Sequence, residues 1–511
     1  MTSTASLPKP TGGASSARRK RKTPQQQQAP ADEGAIGYDL VTQLTYMTNV
    51  ALASASRDQI FEKTAQLDLK TVGPFNQVYQ AVRRLGIEYT AAFQMVARTT
   101  RSRVLKSMLL RFSGALGSGD SEATFLGAEL RVEMERYEEH YERSLESLRK
   151  WTDAYASLLV SVILIIVVAM VSTMISQISQ GSILVLGFLM ILITGVGAWI
   201  IFRVAPQEAT MYTGESYMPP VRRLAYAAAL FIAVPGLVVA LIVAAFKGVP
   251  YGLVIGGIAT LPAGILIAID EGRVSKIDSD LPHVLRSLGA TTSALGSTIS
   301  VGLDKMDRRS MGKLEPYMER LNTRLGYRLS PETSWGRFVS ETGSESVRRT
   351  FRCLIDAINM GAPPDHAAVN ASDLALRLYL LRARRTQVAN TFAFLVIPLH
   401  VSMVGLIMFI FSIVELFNKK IGSVIAEMDA AGGPGASAMP NLPYFQTHDL
   451  GLLGFLTTVV VVSLALANGL TPVFALGGHP LKAGLYVGIS SVTAGLTMII
   501  IPNIAAGLLP A

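Results

Sequence analysis

Residues 128–180 read AELRVEMERYEEHYERSLESLRKWTDAYASLLVSVILIIVVAMVSTMISQISQ, a run without a single glycine or proline. Its first half carries Leu130, Met134, Tyr137, Tyr141, Leu145 and Leu148 at spacings of three and four, the apolar stripe of one helix face. Glu139 with Arg143 and Glu146 with Lys150 add favourable pairs one helical turn apart. From about residue 153 to 178 the polar face disappears and the segment is long enough to cross a hydrocarbon core about 30 Å thick. One helix, about 80 Å long at ~1.5 Å per residue if unbroken, therefore carries a polar helical domain straight into a bilayer.

The same device appears twice. A polar helix-forming segment at 39–150 returns at 280–390, each copy running into a span. Asp39-Leu40 with Leu44 aligns with Asp280-Leu281 and Leu285, and Arg84-Leu85-Gly86 aligns with Arg324-Leu325-Gly326. About thirty residues further on, Leu116-Gly117-Ser118-Gly119 faces Met360-Gly361-Ala362-Pro363. Residues 365–397 repeat the Gly- and Pro-free lead into the membrane, and Pro398 within the span predicts a kink.

Half of the residues are hydrophobic and 16% are charged, against ~25% in soluble domains, so the chain belongs in a membrane. Seven stretches are long and apolar enough to span: 153–178, 182–202, 224–246, 249–269, 391–416, 450–469 and 483–509. Because the first begins at residue 153, it is not a cleaved signal peptide. Arg149, Lys150, Arg203, Arg222, Arg223, Arg273, Lys276, Arg382, Arg384, Arg385 and Lys482 flank the spans on the side of the repeats, and only Lys247, Lys419 and Lys420 flank them on the other. Basic flanks stay in the cytoplasm, which places the N-terminus and both repeats inside and the C-terminus outside. The net charge of +9 then reflects topology and affinity for anionic membrane lipids, not nucleic acid, for which no motif is present.

The organisation expected is all-α. It comprises a disordered basic tail at 1–37 with the run Arg18-Arg19-Lys20-Arg21-Lys22, a helical-bundle domain at 38–152, and four spans in 153–270. A second bundle follows at 271–390, then a fifth span at 391–416, a Gly-rich external loop at 417–449 and two spans in 450–511. Gly248, Gly252 and Gly256, and Gly484 with Gly488, form small-residue faces suited to close helix approach, within one chain or across a homodimer.

Chemistry is sparse. The chain has no phosphate-binding G-x-x-x-x-G-K-[ST], no H-E-x-x-H and no paired C-x-x-C, and its one cysteine, Cys353, excludes a disulfide framework. No cofactor or metal site is expected, and His400 within the fifth span reads as a hydrogen-bonded packing residue. Gly117-Ser118-Gly119-Asp120 spells the GxGD of intramembrane aspartyl peptidases, but such chemistry needs a second carboxylate close by, and Asp120 lies well before the first span. A turn between helices fits better. The spans also lack mid-span Asp, Glu, Lys or Arg, which argues against an ion-coupled transporter.

Two helical domains, each feeding a span, with the mid-domain Arg-Leu-Gly and the later Gly break, resemble the type II secretion F-domain family of platform proteins across residues 39–416. The four spans between the repeats and the two after the fifth are similar to its archaeal branch, that of archaellum assembly protein J and its type IV pilus counterparts. The resemblance implies a non-enzymatic membrane platform whose partners are a cytoplasmic hexameric secretion ATPase and pilin-like subunits. A transporter and a membrane-anchored scaffold unrelated to filaments are the competing readings. On the platform reading, the ATPase-facing candidates are Arg348, Arg349 and Arg352, together with Arg382, Arg384 and Arg385 near the membrane.

Overall fold

The structure is a computed structural model, and it describes residues 30–175, 180–214, 217–430 and 450–508. The run Arg18–Lys22 and residues 431–449 of the expected loop lie outside them. All regular elements among the described residues are helices, and seven are long and apolar enough to cross a membrane.

The first repeat is six helices: α1 (Pro30–Ala51), α2 (Arg57–Ala65), α3 (Val72–Leu85), α4 (Tyr89–Thr99), α5 (Arg103–Ser118) and α6 (Glu122–Ile175). Helix α7 (Gln180–Val204) returns through the membrane, and α8 (Pro220–Ala228) and α9 (Val234–Lys247) form the third span, joined by a π-helical turn at Ala229–Ala233. That turn precedes Pro235, whose missing N–H and bulky ring cannot fit a regular α ladder. Helix α10 (Val249–Leu295) is both the fourth span and the opening helix of the second repeat. It is followed by α11 (Ile299–Lys305), α12 (Glu315–Gly326), α13 (Pro331–Thr342), α14 (Glu345–Asn359) and α15 (Pro364–Ala430), then the spans α16 (Leu450–Leu476) and α17 (Ala483–Leu508).

The two series match helix for helix, with α1 answered by the C-terminal half of α10. The paired aspartates have the same task. Asp39 accepts the backbone N–H of Lys70 at 2.9 Å and Asp280 that of Lys313 at 2.7 Å, each tying the first helix of its repeat to the segment that starts the third. The glycine breaks are turns: Gly86, Gly119 and Gly361 have φ of 65°, 79° and 97°, the left-handed region where a side chain is disfavoured. Asp120, next to Gly119, is exposed and takes a bond from the Ser118 hydroxyl at 3.0 Å, as a turn residue does.

Each repeat has an aromatic centre, with Phe93 stacked on Phe112 at 4.9 Å in the first and Phe338 against Phe351 at 5.1 Å in the second. The long final helices α6 and α15 pack side by side. Arg384 pairs with Glu142, and each is the twenty-first residue of its helix, so the two repeats stand level at this contact.

Two expected boundaries move, and one glycine has a different task. Helix α1 begins at Pro30, inside the segment read as a disordered tail, proline being well suited to a helix's first turn. Helix α15 passes through Pro398 and continues to Ala430, so it extends beyond the expected loop start at 417. Its helical hydrogen bonding outlasts its apolar sequence, and Lys419 reaches Glu415 at 2.7 Å on that extension. Gly248, with φ of 107°, is the turn between α9 and α10 and not a packing residue.

The other glycines are packing residues within one chain. A Cβ on Gly252 would lie 2.6 Å from that of Ala244 in α9, and one on Gly256 3.2 Å from that of Ala240. On the other side of α10, a Cβ on Gly484 would lie 2.8 Å from the Thr260 carbonyl and one on Gly488 2.9 Å from that of Gly257. Both faces are filled, so a second copy would have to use another surface. His400 is buried, its Nε2 3.0 Å from the Ser490 carbonyl and its Nδ1 3.2 Å from Asn468, whose Oδ1 accepts the Tyr155 hydroxyl at 2.8 Å. This chain of polar contacts joins α6, α15, α16 and α17.

Candidate functional site

A dense cluster of charge lies where the two repeats meet each other and the bases of the spans. Tyr38 of α1 is its centre. The Arg349 guanidinium from α14 lies 3.9 Å from the centre of its ring and that of Arg382 from α15 lies 5.5 Å away, so one aromatic side chain contacts cations from two helices of the other repeat.

Arg349 donates to Asp39 and to Glu345, both at 2.7 Å, and Arg348 pairs with the same Glu345 carboxylate. Burial pushes the Glu345 carboxyl up, but its bonds to Arg348 and Arg349 outweigh that effect and hold it below the usual carboxylate range. Desolvation pushes the Tyr38 phenol up against the opposing pull of Arg349 and Arg382. Arg382 donates to Glu208 at 3.1 Å and to the Ser346 hydroxyl at 2.6 Å, and it pairs with Asp278 at 3.4 Å. Glu208, in the segment leaving α7, also accepts the Tyr137 hydroxyl of α6.

The side of the seam nearer the membrane is equally knit. Arg385 donates to the carbonyls of Ala475 at 3.0 Å and Pro206 at 2.6 Å, tying α15 to the end of α16 and to the segment after α7. Arg222, at the start of the third span, is 0% exposed. It pairs with Asp270 of α10 at 2.8 Å and donates to the carbonyls of Tyr212 at 2.5 Å and Gly343 at 3.2 Å. Arg273 closes the triad on Asp270 at 2.8 Å. A cleft of about 460 Å³ opens beside this network, lined by Glu271, Asp278, Arg382, Asn390, Gly478 and Lys482. Its charges are matched within the chain, Glu271 with Lys482 at 2.6 Å and Arg382 with Asp278.

The six arginines singled out as ATPase-facing are thus distributed differently from expectation. Arg349 is 9% exposed and Arg348 19%, both engaged inside the seam, and neither forms an outward face. Arg382 and Arg385 are also committed to the joint. Arg352 is partly exposed and donates to the Gln66 carbonyl at 2.9 Å, while Arg384 is exposed and paired with Glu142. Glu345 lies at helical spacing from Arg348 and Arg349, but the acceptors Asp39 of Arg349, Gln66 of Arg352 and Glu142 of Arg384 belong to the other repeat, where sequence spacing could not show them. Tyr38, Glu208, Asp278 and the pair Arg222–Asp270 carry no motif. The one signal in the sequence was the matched aspartates at 39 and 280.

Among the described residues no group of three His, Cys, Asp or Glu side chains is gathered to hold a metal. The chemistry on display is fork-like guanidinium hydrogen bonding, which fixes angles between helices. It makes a rigid coupling: α1, α10, α14 and α15, with the segment linking the second and third spans, are held in one arrangement.

Comparisons with known proteins give two relatives. Over 458 residues the chain is 22% identical to the Flagella accessory protein J of Methanococcus voltae, the match covering 85% of this chain and 79% of that protein. Over 362 residues it is 23% identical to the Flagella accessory protein J of Methanocaldococcus jannaschii, covering 68% of this chain and 62% of that protein. No family model matches the chain, and no solved structure matches it. With its seven apolar helices and these similarities, the chain reads as an archaellum-related, multi-pass membrane protein.

Proposed function

We propose that this protein is the membrane platform of an archaellum or a related type IV filament, with both repeats in the cytoplasm. It works without enzymatic chemistry of its own, receiving force from a cytoplasmic secretion ATPase and passing it to pilin-like subunits in the membrane. The observation that carries this reading is the seam: two helical repeats cross-braced by Arg349 on Asp39 and by Arg382 on Tyr38, with Arg222 tying the third span to the second repeat, and each repeat continuous with a span through α6 or α15. A torque or displacement applied to either repeat would reach the spans without a flexible link. The likeness to the two flagella accessory proteins over most of the chain supports a filament-related reading.

The test is genetic and biochemical together. Deleting the gene is expected to abolish surface filaments while subunits accumulate in the membrane, and the purified protein is expected to bind a hexameric secretion ATPase without hydrolysing ATP itself. Intact filaments in the deletion strain, or solute transport by the protein alone, would overturn the reading.

A further inference from the structure

The turn between α4 and α5 has a counterpart between α13 and α14, and their surroundings differ completely. Both turns end in a serine N-cap: Ser102 accepts the N–H of Leu105 and Ser344 that of Val347. In the second repeat the turn is seated beneath the third span. Gly343 accepts bonds from Tyr212 at 2.9 Å and Arg222 at 3.2 Å, and Glu345 donates its N–H to Thr210 at 3.2 Å. Helix α8 enters the membrane from this point. Because Arg384 meets Glu142, each the twenty-first residue of its helix, the two repeats are level at this contact, and the α4–α5 turn of the first repeat faces the same bilayer surface.

Among the described residues no span packs against α4 or α5 as the third span does on the second repeat's turn. The α4–α5 turn presents Arg98, Arg101, Arg103 and Lys106, all exposed and none with a side-chain partner among the described residues, around an exposed Val104. From Tyr89 to Ser118 there is no Asp or Glu; the fifth cation, Arg111, is neutralised by Glu129 and Glu133. The matching stretch of the second repeat, 331–359, sets Arg337, Arg348, Arg349 and Arg352 against Glu332, Glu341, Glu345 and Asp356. Where the protein fills the space above the turn, charge is balanced, and where the space is open, four cations are left unopposed.

We propose that the α4–α5 turn is a lipid-docking surface that rests the first repeat on anionic headgroups, doing for that repeat what α8 and Arg222 do for the second. Phosphate-bearing headgroups suit it because several mobile, singly charged donors meet a diffuse layer of negative charge that attracts basic segments within a Debye length of the surface. The proposal does not depend on the filament reading.

The experiment uses the full chain in nanodiscs. A spin label is placed on Val104→Cys, the parent protein with its buried Cys353 serving as the unlabelled control. Proximity to the bilayer is read by relaxation from Ni(II) chelated on a headgroup-anchored lipid. In discs containing phosphatidylglycerol the label is expected close to the headgroups. In pure phosphatidylcholine, at about 1 M salt, or in the R98Q/R101Q/R103Q/K106Q variant the α4–α5 corner, which is not among the braced helices α1, α10, α14 and α15, lifts from the headgroups, docking weakening by about fivefold for each cation lost. A label at exposed Tyr327→Cys should remain unaffected throughout. Two double variants, R98Q/R101Q and R103Q/K106Q, give the same graded loss should the fourfold variant fold poorly. Equal proximity in neutral and anionic discs, or contact that appears only when a second copy or an acidic protein is added, overturns the proposal.

Discussion

At the scale of single residues, Arg222 and Asp270 carry the most consequence for their size. Both are fully buried, and their charges are acceptable there only because each completes the other, with Arg273 and two carbonyls satisfying the remaining bonds. Removing one partner strands the other. Asp270→Ala is therefore expected to destabilise the protein by about 3–5 kcal/mol, seen as a lowered thermal midpoint in detergent. Arg273→Ala, whose partner Asp270 keeps Arg222, should cost clearly less, and equal losses in the two variants would contradict the hierarchy. Nothing in the sequence marks Arg222: it sits among other basic residues flanking spans and reads there as a topological signal. Its buried role becomes visible only once Gly343, which lies far along the chain, is placed beside it.

At the scale of elements, α10 is the organising helix. One face packs on α9 through Gly252 and Gly256, the opposite face packs on α17 through Gly257 and Gly264, and its lower half opens the second repeat. The approach to α17 is close enough for backbone to meet backbone, so a larger side chain has nowhere to go. Gly488→Leu is expected to cost roughly 1–3 kcal/mol or more by overpacking, and to lower the yield of folded protein. By contrast Gly114→Ala in α5, where an added Cβ meets nothing within 4 Å, should stabilise by about 0.5–1 kcal/mol. Thermal unfolding of both variants checks the opposite signs. The spans and the helical repeats could be read from the sequence because apolar length and helical periodicity are local properties. The ends of α1 and α15 could not, since a helix needs only backbone bonding to continue where its apolar stripe stops. The glycine faces were visible as spacing, but whether they met a neighbour in the same chain depended on where α9 and α17 lie.

At the scale of the whole molecule, the two repeats interlock at their cores. Cys353, on α14 of the second repeat, is buried in the hydrophobic core of the first and lies 3.8 Å from the Thr42 carbonyl of α1, while Asn49 of α1 donates to the Cys353 carbonyl at 3.2 Å. Burial pushes the Cys353 thiol up to about 12, so it is unreactive as long as the seam is shut. This makes it a built-in reporter of seam opening, whichever side of the membrane the repeats occupy. Glu345 gives the seam a pH dependence. Its carboxyl is held below the ordinary range in the folded seam, so its contribution is fully present above the ordinary carboxylate range and is lost as pH falls through the lowered value. With a pyridyl disulfide, labelling of Cys353 should be slow at neutral pH and accelerate as pH drops through the carboxylate range. Glu345→Gln is expected to raise the neutral rate and flatten that rise, because the titrating group is gone. Arg349→Ala leaves Asp39 and Glu345 each short of a buried cation and should speed labelling by roughly 100-fold or more at neutral pH. Rapid labelling of the parent protein at neutral pH, or a pH profile unchanged by Glu345→Gln, would show that the repeats are not held together by this network.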